Sequence, residues 1–338
     1  MAYRPAISSL SLGLPSVHPL PGRIEQAARY GFDLELFHDD IVEIAAHLPA
    51  GPRAAQSQLQ AAAIVRSLCD NCQVRIVCLQ PFRHYEGLKD RQKHAERAEE
   101  MKLWICLAKT LGTDLIGIPS TFLPETEASG DIDLIVQDLR EVADLGIAEG
   151  MRFTYEALAW GTYIDTWEEC WEVVLRVDRP NFGICLDTFN LAGRVYADPA
   201  SPSGKTPDAD ATLAASLGRL KERVDLDKVF WVQVVDAQQL SKPLNDKHPY
   251  HIQGQPARMS WSRNCRLFYG EQDLGAYLPI RLVLQTILVD MGFRGCLSAE
   301  LFNKSLGDPD PRTPEKHARR AAISWRTMMQ NLDLVAEA

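Results

Sequence analysis

Hydrophobic and polar residues alternate along this chain in two kinds of segment, short apolar runs rich in β-branched residues and longer runs with one apolar face. The short runs predict β-strands and the longer runs predict helices. The predicted strands, in chain order, are AISSLSLGL, DLELF, QVRIVCLQPF, LIGIPS, RFTYEAL, FGICLDTF, VFWVQVVDA and RGCLSAELF. The predicted helices are GRIEQAARY, QSQLQAAAIVRSLCDN, a charged segment from Asp90 to Leu111, IDLIVQDLREVADLGIAEG, TWEECWEVVLRV, ATLAASLGRLKER, LPIRLVLQTILVDMG and PEKHARRAAISWRTMMQNL.

Eight successive strand–helix pairs predict a single (β/α)₈ TIM barrel of the α/β class. Continuously apolar strands are typical of a parallel sheet that is buried on both faces. No Gly-x-Gly-x-x-Gly follows the first strand, which removes the main reason to prefer an open nucleotide-binding sheet. A barrel of about 250 residues with insertions accounts for residues 1–338 as one domain. The insertions are segments 197–207 and 241–271, in the sixth and seventh strand-to-helix loops, where barrel active sites form.

The composition narrows the class of protein. Lys and Arg number 36 against 45 Asp and Glu, and this net charge of −9 disfavours a phosphate-binding nucleic-acid surface. No run of about 18 apolar residues occurs, so no membrane-spanning helix is expected. The opening MAYRPAISSLSLG lacks the layout of a signal peptide, and the cysteines are expected to be reduced thiols. These features predict a cytoplasmic enzyme without nucleic-acid or membrane partners.

One oxygen-bearing side chain stands at the C-terminal end of each of the last four predicted strands. These residues are Glu156, Asp187, Gln233 and Glu300. The C-terminal ends of all barrel strands meet at one face, which is where barrel enzymes place their active sites. We therefore expect the four side chains to converge.

Converging carboxylates repel one another unless a cation neutralises them, and a lone carboxylate in an apolar strand is costly to bury. Three carboxylates and an amide oxygen, without imidazole or thiolate, favour Mg²⁺ or Mn²⁺ over Zn²⁺, with Co²⁺ as a further candidate. The alternative is that each residue separately caps a helix or pairs with an arginine. The presence of all four on adjacent strands favours one divalent metal site.

The strand-end motifs TYEALAWGT, ICLDTFN, WVQVVDA and SAELFN resemble those of the xylose-isomerase-like barrel superfamily of sugar isomerases, epimerases and endonucleases. The segments AISSLSLG, YGFDLELFHDD, VCLQPFRHYEGL and HPYHIQGQPARMSWSRNCRLFYGE narrow the resemblance to the fungal-type 3-dehydroshikimate dehydratases of quinate catabolism. The resemblance runs over nearly the whole chain. It implies a metal at Glu156, Asp187, Gln233 and Glu300, the set that the strand ends indicate independently.

The resemblance implies a lyase that dehydrates 3-dehydroshikimate to protocatechuate. A proton leaves the carbon beside the ketone, hydroxide leaves the next carbon, and the ring becomes aromatic. A divalent cation would stabilise the enolate charge as a Lewis acid. Much of the superfamily has His where this chain has Gln233, and many members have His where it has Asn190. Both departures disfavour an isomerase or epimerase.

Loop residues near the barrel mouth supply the remaining candidates. The substrate carboxylate needs a cationic partner, and Arg83, Arg258 and Arg263 are candidates, unless they are solvated loop charges. His84, directly after the third strand, is a candidate catalytic base or acid because imidazole titrates near neutrality. Glu35, at the end of the second strand, is a candidate to hold a substrate hydroxyl or a catalytic partner, or else it pairs with an arginine.

Three other functions are compatible with such a barrel. A metal-dependent sugar isomerase or epimerase would share the metal and give no ultraviolet-absorbing product. A three-zinc endonuclease is disfavoured by the acidic charge and by the small number of histidines. A non-catalytic metabolite-binding barrel would have no need of the metal ligands. The sequence does not determine the oligomeric state or which residue abstracts the proton.

Overall fold

The computed structural model describes residues 3–335 and contains a closed eight-stranded parallel barrel. Around the barrel the strands follow the order β1-β10-β7-β6-β5-β4-β3-β2. Two further short strands, β8 and β9, form a separate antiparallel pair. The strands are β1 (Arg4–Ser8), β2 (Asp33–Phe37), β3 (Ile76–Gln80), β4 (Leu115–Pro119), β5 (Arg152–Glu156), β6 (Phe182–Asp187), β7 (Val229–Val234), β8 (Asp236–Ala237), β9 (Arg266–Leu267) and β10 (Cys296–Ala299).

Eleven α-helices lie in this part of the chain, and most of them cover the outside of the barrel. They are α1 (Leu20–Arg29), α2 (His38–Ala46), α3 (Ala55–Asn71), α4 (Arg91–Leu111), α5 (Ile132–Ile147), α6 (Trp167–Val177), α7 (Thr188–Val195), α8 (Ala209–Arg223), α9 (Ala257–Cys265), α10 (Ile280–Leu284) and α11 (Thr313–Asn331). Among the helices of residues 3–335, none combines the length and apolar character needed to cross a bilayer. The predicted (β/α)₈ barrel is confirmed.

Local sequence explains where several helices begin and end. Asp90 caps α4 by accepting hydrogen bonds from the first-turn backbone, and Gly112, with a φ of 76°, ends it in the left-handed region. Thr166 and Glu169 form a reciprocal capping box at the start of α6. Asp131 caps α5 by accepting a hydrogen bond from the backbone of Asp133. These caps satisfy backbone groups that a helix end otherwise leaves unpaired.

The structure differs from the prediction in the loops that follow the strands. Helices α2 and α7 begin directly after β2 and β6, where no helix was predicted. The predicted first strand stops early, and residues 9–12 form a 3₁₀ turn. The hydroxyl of Ser9 donates to Asp40 and accepts from the backbone of Phe37 at 3.0 Å, which turns the chain away from the sheet. The seventh loop is also structured, because it contains α9 and β9.

Candidate metal centre and substrate pocket

Three carboxylates converge at the C-terminal end of the barrel. Glu156 ends β5, Asp187 ends β6, and Glu300 directly follows β10. One carboxylate oxygen of each lies within 4.8 Å of the other two, and all three residues are buried. The parallel register accounts for this arrangement, since it aligns the ends of neighbouring strands. The structure therefore brings together the three acids that the sequence proposed as metal ligands.

A buried arginine from the seventh loop lies against these acids. Nη1 of Arg266 donates to Asp187 Oδ2 at 2.9 Å and to Glu300 Oε2 at 2.7 Å, and the residue is 1% exposed. Three carboxylates and one guanidinium leave a formal excess of two negative charges. One divalent cation carries the opposite charge, and hard oxygen donors suit it. The residues of this acidic triad, Glu156, Asp187 and Glu300, therefore fit a divalent metal ion.

The protonation of the triad gives a second indication. Burial, followed by the charges of Glu300 and Asp187, raises the pKa of Glu156 well above its usual value. Burial also raises the pKa of Glu300 to about 7, although Arg266 opposes the shift, and burial raises the pKa of Asp187. Three carboxylates this close resist simultaneous ionisation, and a bound cation would favour the ionised form of each.

Gln233, the fourth proposed ligand, lies on β7 beside the triad and is 1% exposed. Its Nε2 donates to Glu35 Oε1 at 2.7 Å, and its Oε1 accepts a weak hydrogen bond from the Cys185 thiol at 3.4 Å. Because Glu35 engages the amide nitrogen, the oxygen is the end of the amide that is left for a cation.

Glu35 lies two residues before the end of β2 and is fully buried. Its carboxylate accepts hydrogen bonds from Trp231 Nε1 at 3.1 Å and from the side chains of Gln80 and Ser298, in addition to Gln233. Burial and then the charge of Glu300 raise its pKa. Glu35 is not among the residues that line the substrate pocket, and its carboxylate binds the side-chain amides of Gln233 and Gln80.

Three further side chains, absent from the site predicted from the sequence, contact the triad. Gln80 Nε2 donates to Glu300 Oε1 at 2.9 Å. Asn190 Nδ2 donates to Glu156 Oε1 at 2.7 Å and to Asp187 Oδ2 at 2.9 Å. Gln80 ends β3, so the strand-end rule applied to every strand would have found it. Arg266 had no such signal, because the folding of the seventh loop brings it to the triad.

A pocket of about 110 Å³ opens beside the triad at the same end of the barrel. Arg83, Arg263 and Arg266 line it together with Glu156 and Glu300. Its aromatic walls are formed by Phe37, Phe122, Trp160 and Phe302. A small pocket lined by both carboxylates and guanidinium groups suits a small molecule that carries both an anionic group and metal-binding oxygens.

Arg258, the third arginine proposed for the substrate carboxylate, does not line this pocket. Its Nε donates to the Gly193 carbonyl at 2.9 Å and its Nη2 to the Ala197 carbonyl at 2.8 Å. The side chain therefore ties α9 to the end of α7. This correction has a simple cause: a loop arginine satisfies exposed carbonyls at a helix end when they are nearer than the ligand site.

His84 lies behind the wall of the pocket. Its Nδ1 is 3.3 Å from Thr121 Oγ1, and its ring packs edge-on against Phe122 with centroids 4.3 Å apart. Burial, followed by the charges of Arg83 and Arg97, lowers its pKa to about 4. The expectation that this imidazole titrates near neutrality is therefore wrong, because desolvation and two neighbouring cations disfavour its charged form.

Comparison with known proteins identifies the family of this chain. The profile of the xylose isomerase-like TIM barrel family matches residues 24–328. The chain is 50% identical to the 3-dehydroshikimate dehydratase of Neurospora crassa, over all of this chain and 96% of that protein.

Solved structures show the same fold. A xylose isomerase-like TIM barrel/4-hydroxyphenylpyruvate dioxygenase fusion protein superposes with a TM-score of 0.73 at 27% identity, covering 98% of this chain and 43% of that one. The IolI protein, solved with a bound zinc atom, superposes with a TM-score of 0.70 at 18% identity over 98% of both chains. The chain therefore belongs to the xylose isomerase-like TIM barrel family and, within it, to the group of 3-dehydroshikimate dehydratases that includes the Neurospora crassa protein.

Proposed function

We propose that this protein is a 3-dehydroshikimate dehydratase, a lyase that removes water from 3-dehydroshikimate to form protocatechuate. The observation that carries the proposal is the 50% identity, over the whole chain, to the Neurospora crassa protein of that name. The reaction breaks a carbon–hydrogen bond beside the ketone and a carbon–oxygen bond at the next carbon. The two electrons of the carbon–hydrogen bond form the new double bond, and the hydroxide leaves with the electrons of the carbon–oxygen bond and takes up a proton to become water. A second ring proton is then lost and the ketone oxygen is protonated, which completes the aromatic ring, and no oxidant is needed.

Glu156, Asp187 and Glu300 would hold one divalent cation, with the Gln233 amide oxygen as a fourth donor. The convergence and burial of the acids, and the engagement of the Gln233 nitrogen by Glu35, support this ligand set. The bound cation would act as a Lewis acid on the charge that develops at the substrate ketone oxygen. The all-oxygen donor set favours Mg²⁺ or Mn²⁺, with Co²⁺ as a third candidate.

Arg83 and Arg263 would bind the substrate carboxylate. Both line the pocket, and the charge of Arg83, after burial, lowers the pKa of Arg263. Two guanidinium groups that repel each other across a pocket favour an anion between them. The aromatic walls of the pocket would exclude water from the reaction. One of them, Trp160, has a buried indole N–H that no hydrogen-bond acceptor in residues 3–335 satisfies. That N–H would donate to a substrate hydroxyl.

Proton transfer is proposed for His84, with Glu35 as its alternative. If His84 takes part, His84→Gln should lower kcat by about 10²- to 10⁴-fold with little change in KM. Because a pKa of about 4 leaves the ring neutral at working pH, the shape of the pH–rate profile near neutrality should not change. Steady-state kinetics at several pH values, with exposed His47→Gln as control, would measure this. A rise in KM at constant kcat would instead assign His84 to packing behind Phe122.

The function itself is tested by adding the purified protein and Mg²⁺ or Mn²⁺ to 3-dehydroshikimate. An aromatic ultraviolet absorbance should appear, and chromatography should identify the product as protocatechuate. Ketose sugars, in a parallel reaction, should remain unchanged. Interconversion of a sugar without any aromatic product would replace this proposal with an isomerase or epimerase. The cytoplasmic location and the one-domain organisation remain predictions.

A further inference from the structure

Asn190 lies in the first turn of α7, three residues after Asp187, and is 4% exposed. Residues three positions apart around a helical turn are neighbours, so the Asn190 amide lies beside the Asp187 carboxylate. Asn190 is not among the residues that line the substrate pocket. It can therefore affect the reaction only through the residues that it contacts.

The amide nitrogen of Asn190 binds two carboxylates of the acidic triad. Its Nδ2 donates to Glu156 Oε1 at 2.7 Å and to Asp187 Oδ2 at 2.9 Å. Asp187 has a further partner, since Arg266 donates to the same carboxylate. Among the described residues, however, Asn190 is the only one that donates a hydrogen bond to the Glu156 carboxylate. Because Oε1 of Glu156 is engaged in this way, Oε2 is the oxygen that is left for a cation.

The carbonyl end of the same side chain binds the loop that follows β5. Asn190 Oδ1 accepts a hydrogen bond from the Ala159 backbone N–H at 3.0 Å. A second hydrogen bond holds this loop without involving the triad, since Ser120 Oγ accepts from the Leu158 backbone N–H at 3.0 Å. Leu158 and Trp160, the neighbours of Ala159 in the chain, line the substrate pocket. Asn190 therefore connects two acids of the triad to the wall of the pocket.

The chemistry of an amide suits these three contacts. An asparagine side chain offers two donor hydrogens on nitrogen and an acceptor oxygen, and Asn190 uses all of them. A carboxylate at this position would have no donor for the acids. An imidazole has two ring nitrogens and cannot make three such hydrogen bonds. Of these three side chains, only the amide binds both the acids and the loop.

We propose that Asn190 is a positioning residue, which orients the Glu156 carboxylate for the metal and fixes the loop that carries Trp160. A residue that hydrogen-bonds a metal ligand commonly controls the affinity for the metal. Loss of the Asn190 amide should therefore weaken the binding of the metal and of the substrate together. The inference rests on the metal centre and the substrate pocket of the proposed function.

Calorimetric titration of the metal-free protein with Mn²⁺ tests the first effect and needs no substrate. Asn190→Ala should weaken Mn²⁺ binding about tenfold to a hundredfold. Its KM for 3-dehydroshikimate, measured at saturating Mn²⁺, should rise about twofold to tenfold, as expected for one lost neutral hydrogen bond. Ser120→Ala removes the other hydrogen bond to the loop, and it should raise KM without changing the affinity for Mn²⁺. Asn71→Ala changes an exposed asparagine on α3 and should alter neither quantity.

Unchanged Mn²⁺ affinity in Asn190→Ala would overturn the proposal, and so would an unchanged KM. An equal loss of Mn²⁺ affinity in Ser120→Ala would also overturn it, because general loosening of the site would then explain both variants. If circular dichroism shows that Asn190→Ala does not fold, Asn190→Ser replaces it, since a hydroxyl can donate to only one of the two acids. If the unaltered protein binds no Mn²⁺, the metal centre of the proposed function fails and this inference with it. Mn²⁺ binding that is the same with and without the Asn190 amide would contradict this inference alone.

Discussion

Replacing Glu300 with Gln should lower kcat by about a thousandfold or more while the barrel stays folded. A cation at a developing oxyanion contributes several kcal/mol, and each 1.36 kcal/mol is tenfold in rate. Asp187→Asn should have a similar effect, because the triad would lose one of its three charges. The fold should persist because residues at the C-terminal face of a barrel serve function more than stability. Steady-state kinetics and elemental analysis would measure turnover and metal content together.

Removal of the metal from the unaltered protein should cause the same loss of turnover as Glu300→Gln. Chelation should abolish activity, and Mg²⁺ or Mn²⁺ should restore it in the unaltered protein but not in Glu300→Gln. Glu172→Gln, which changes an exposed carboxylate on α6, is the matched control and should keep full activity and metal content. Full turnover in a preparation that elemental analysis shows to be metal-free would contradict the proposed metal centre.

Replacing Arg83 or Arg263 with Ala should raise KM about tenfold to a hundredfold. Both side chains line the pocket, and each substitution would remove a charge-assisted hydrogen bond worth about 1.5–3 kcal/mol. Lys should recover only part of the affinity, since an ammonium group cannot match the two parallel hydrogen bonds of a guanidinium. Initial rates over a range of substrate concentration would separate KM from kcat.

Two further variants sharpen this test. Arg223→Ala removes an exposed charge from α8 and should leave KM unchanged. Arg258→Ala should lower the melting temperature, because the guanidinium binds the carbonyls of Gly193 and Ala197. Unchanged KM in both Arg83→Ala and Arg263→Ala would mean that the carboxylate is bound elsewhere, and Arg266 would then be the next candidate.

The sequence by itself determined the barrel and the convergence of three acids at its C-terminal end. Strand hydrophobicity fixes which segments are buried in the parallel sheet, and the sheet then aligns its own C-terminal ends. A polar residue at the C-terminal end of such a strand therefore lies at that face of the barrel. The convergence of Glu156, Asp187 and Glu300 could therefore be predicted from the sequence alone. The helix caps at Asp90 and Asp131 involve only residues two or three positions away, and the sequence indicates them for that reason.

Only the tertiary structure decided which loop residues reach the site. Arg258 and Arg266 lie on the same loop, eight positions apart, and nothing in their spacing distinguishes them. The first satisfies carbonyls at a helix end, while β9 pairs with β8 and directs the second into the triad. The pKa of His84 is also a tertiary property, because it depends on burial and on cations brought in by folding. Periodicity reports which face of an element is buried, whereas a loop is positioned by long-range contacts that periodicity does not encode.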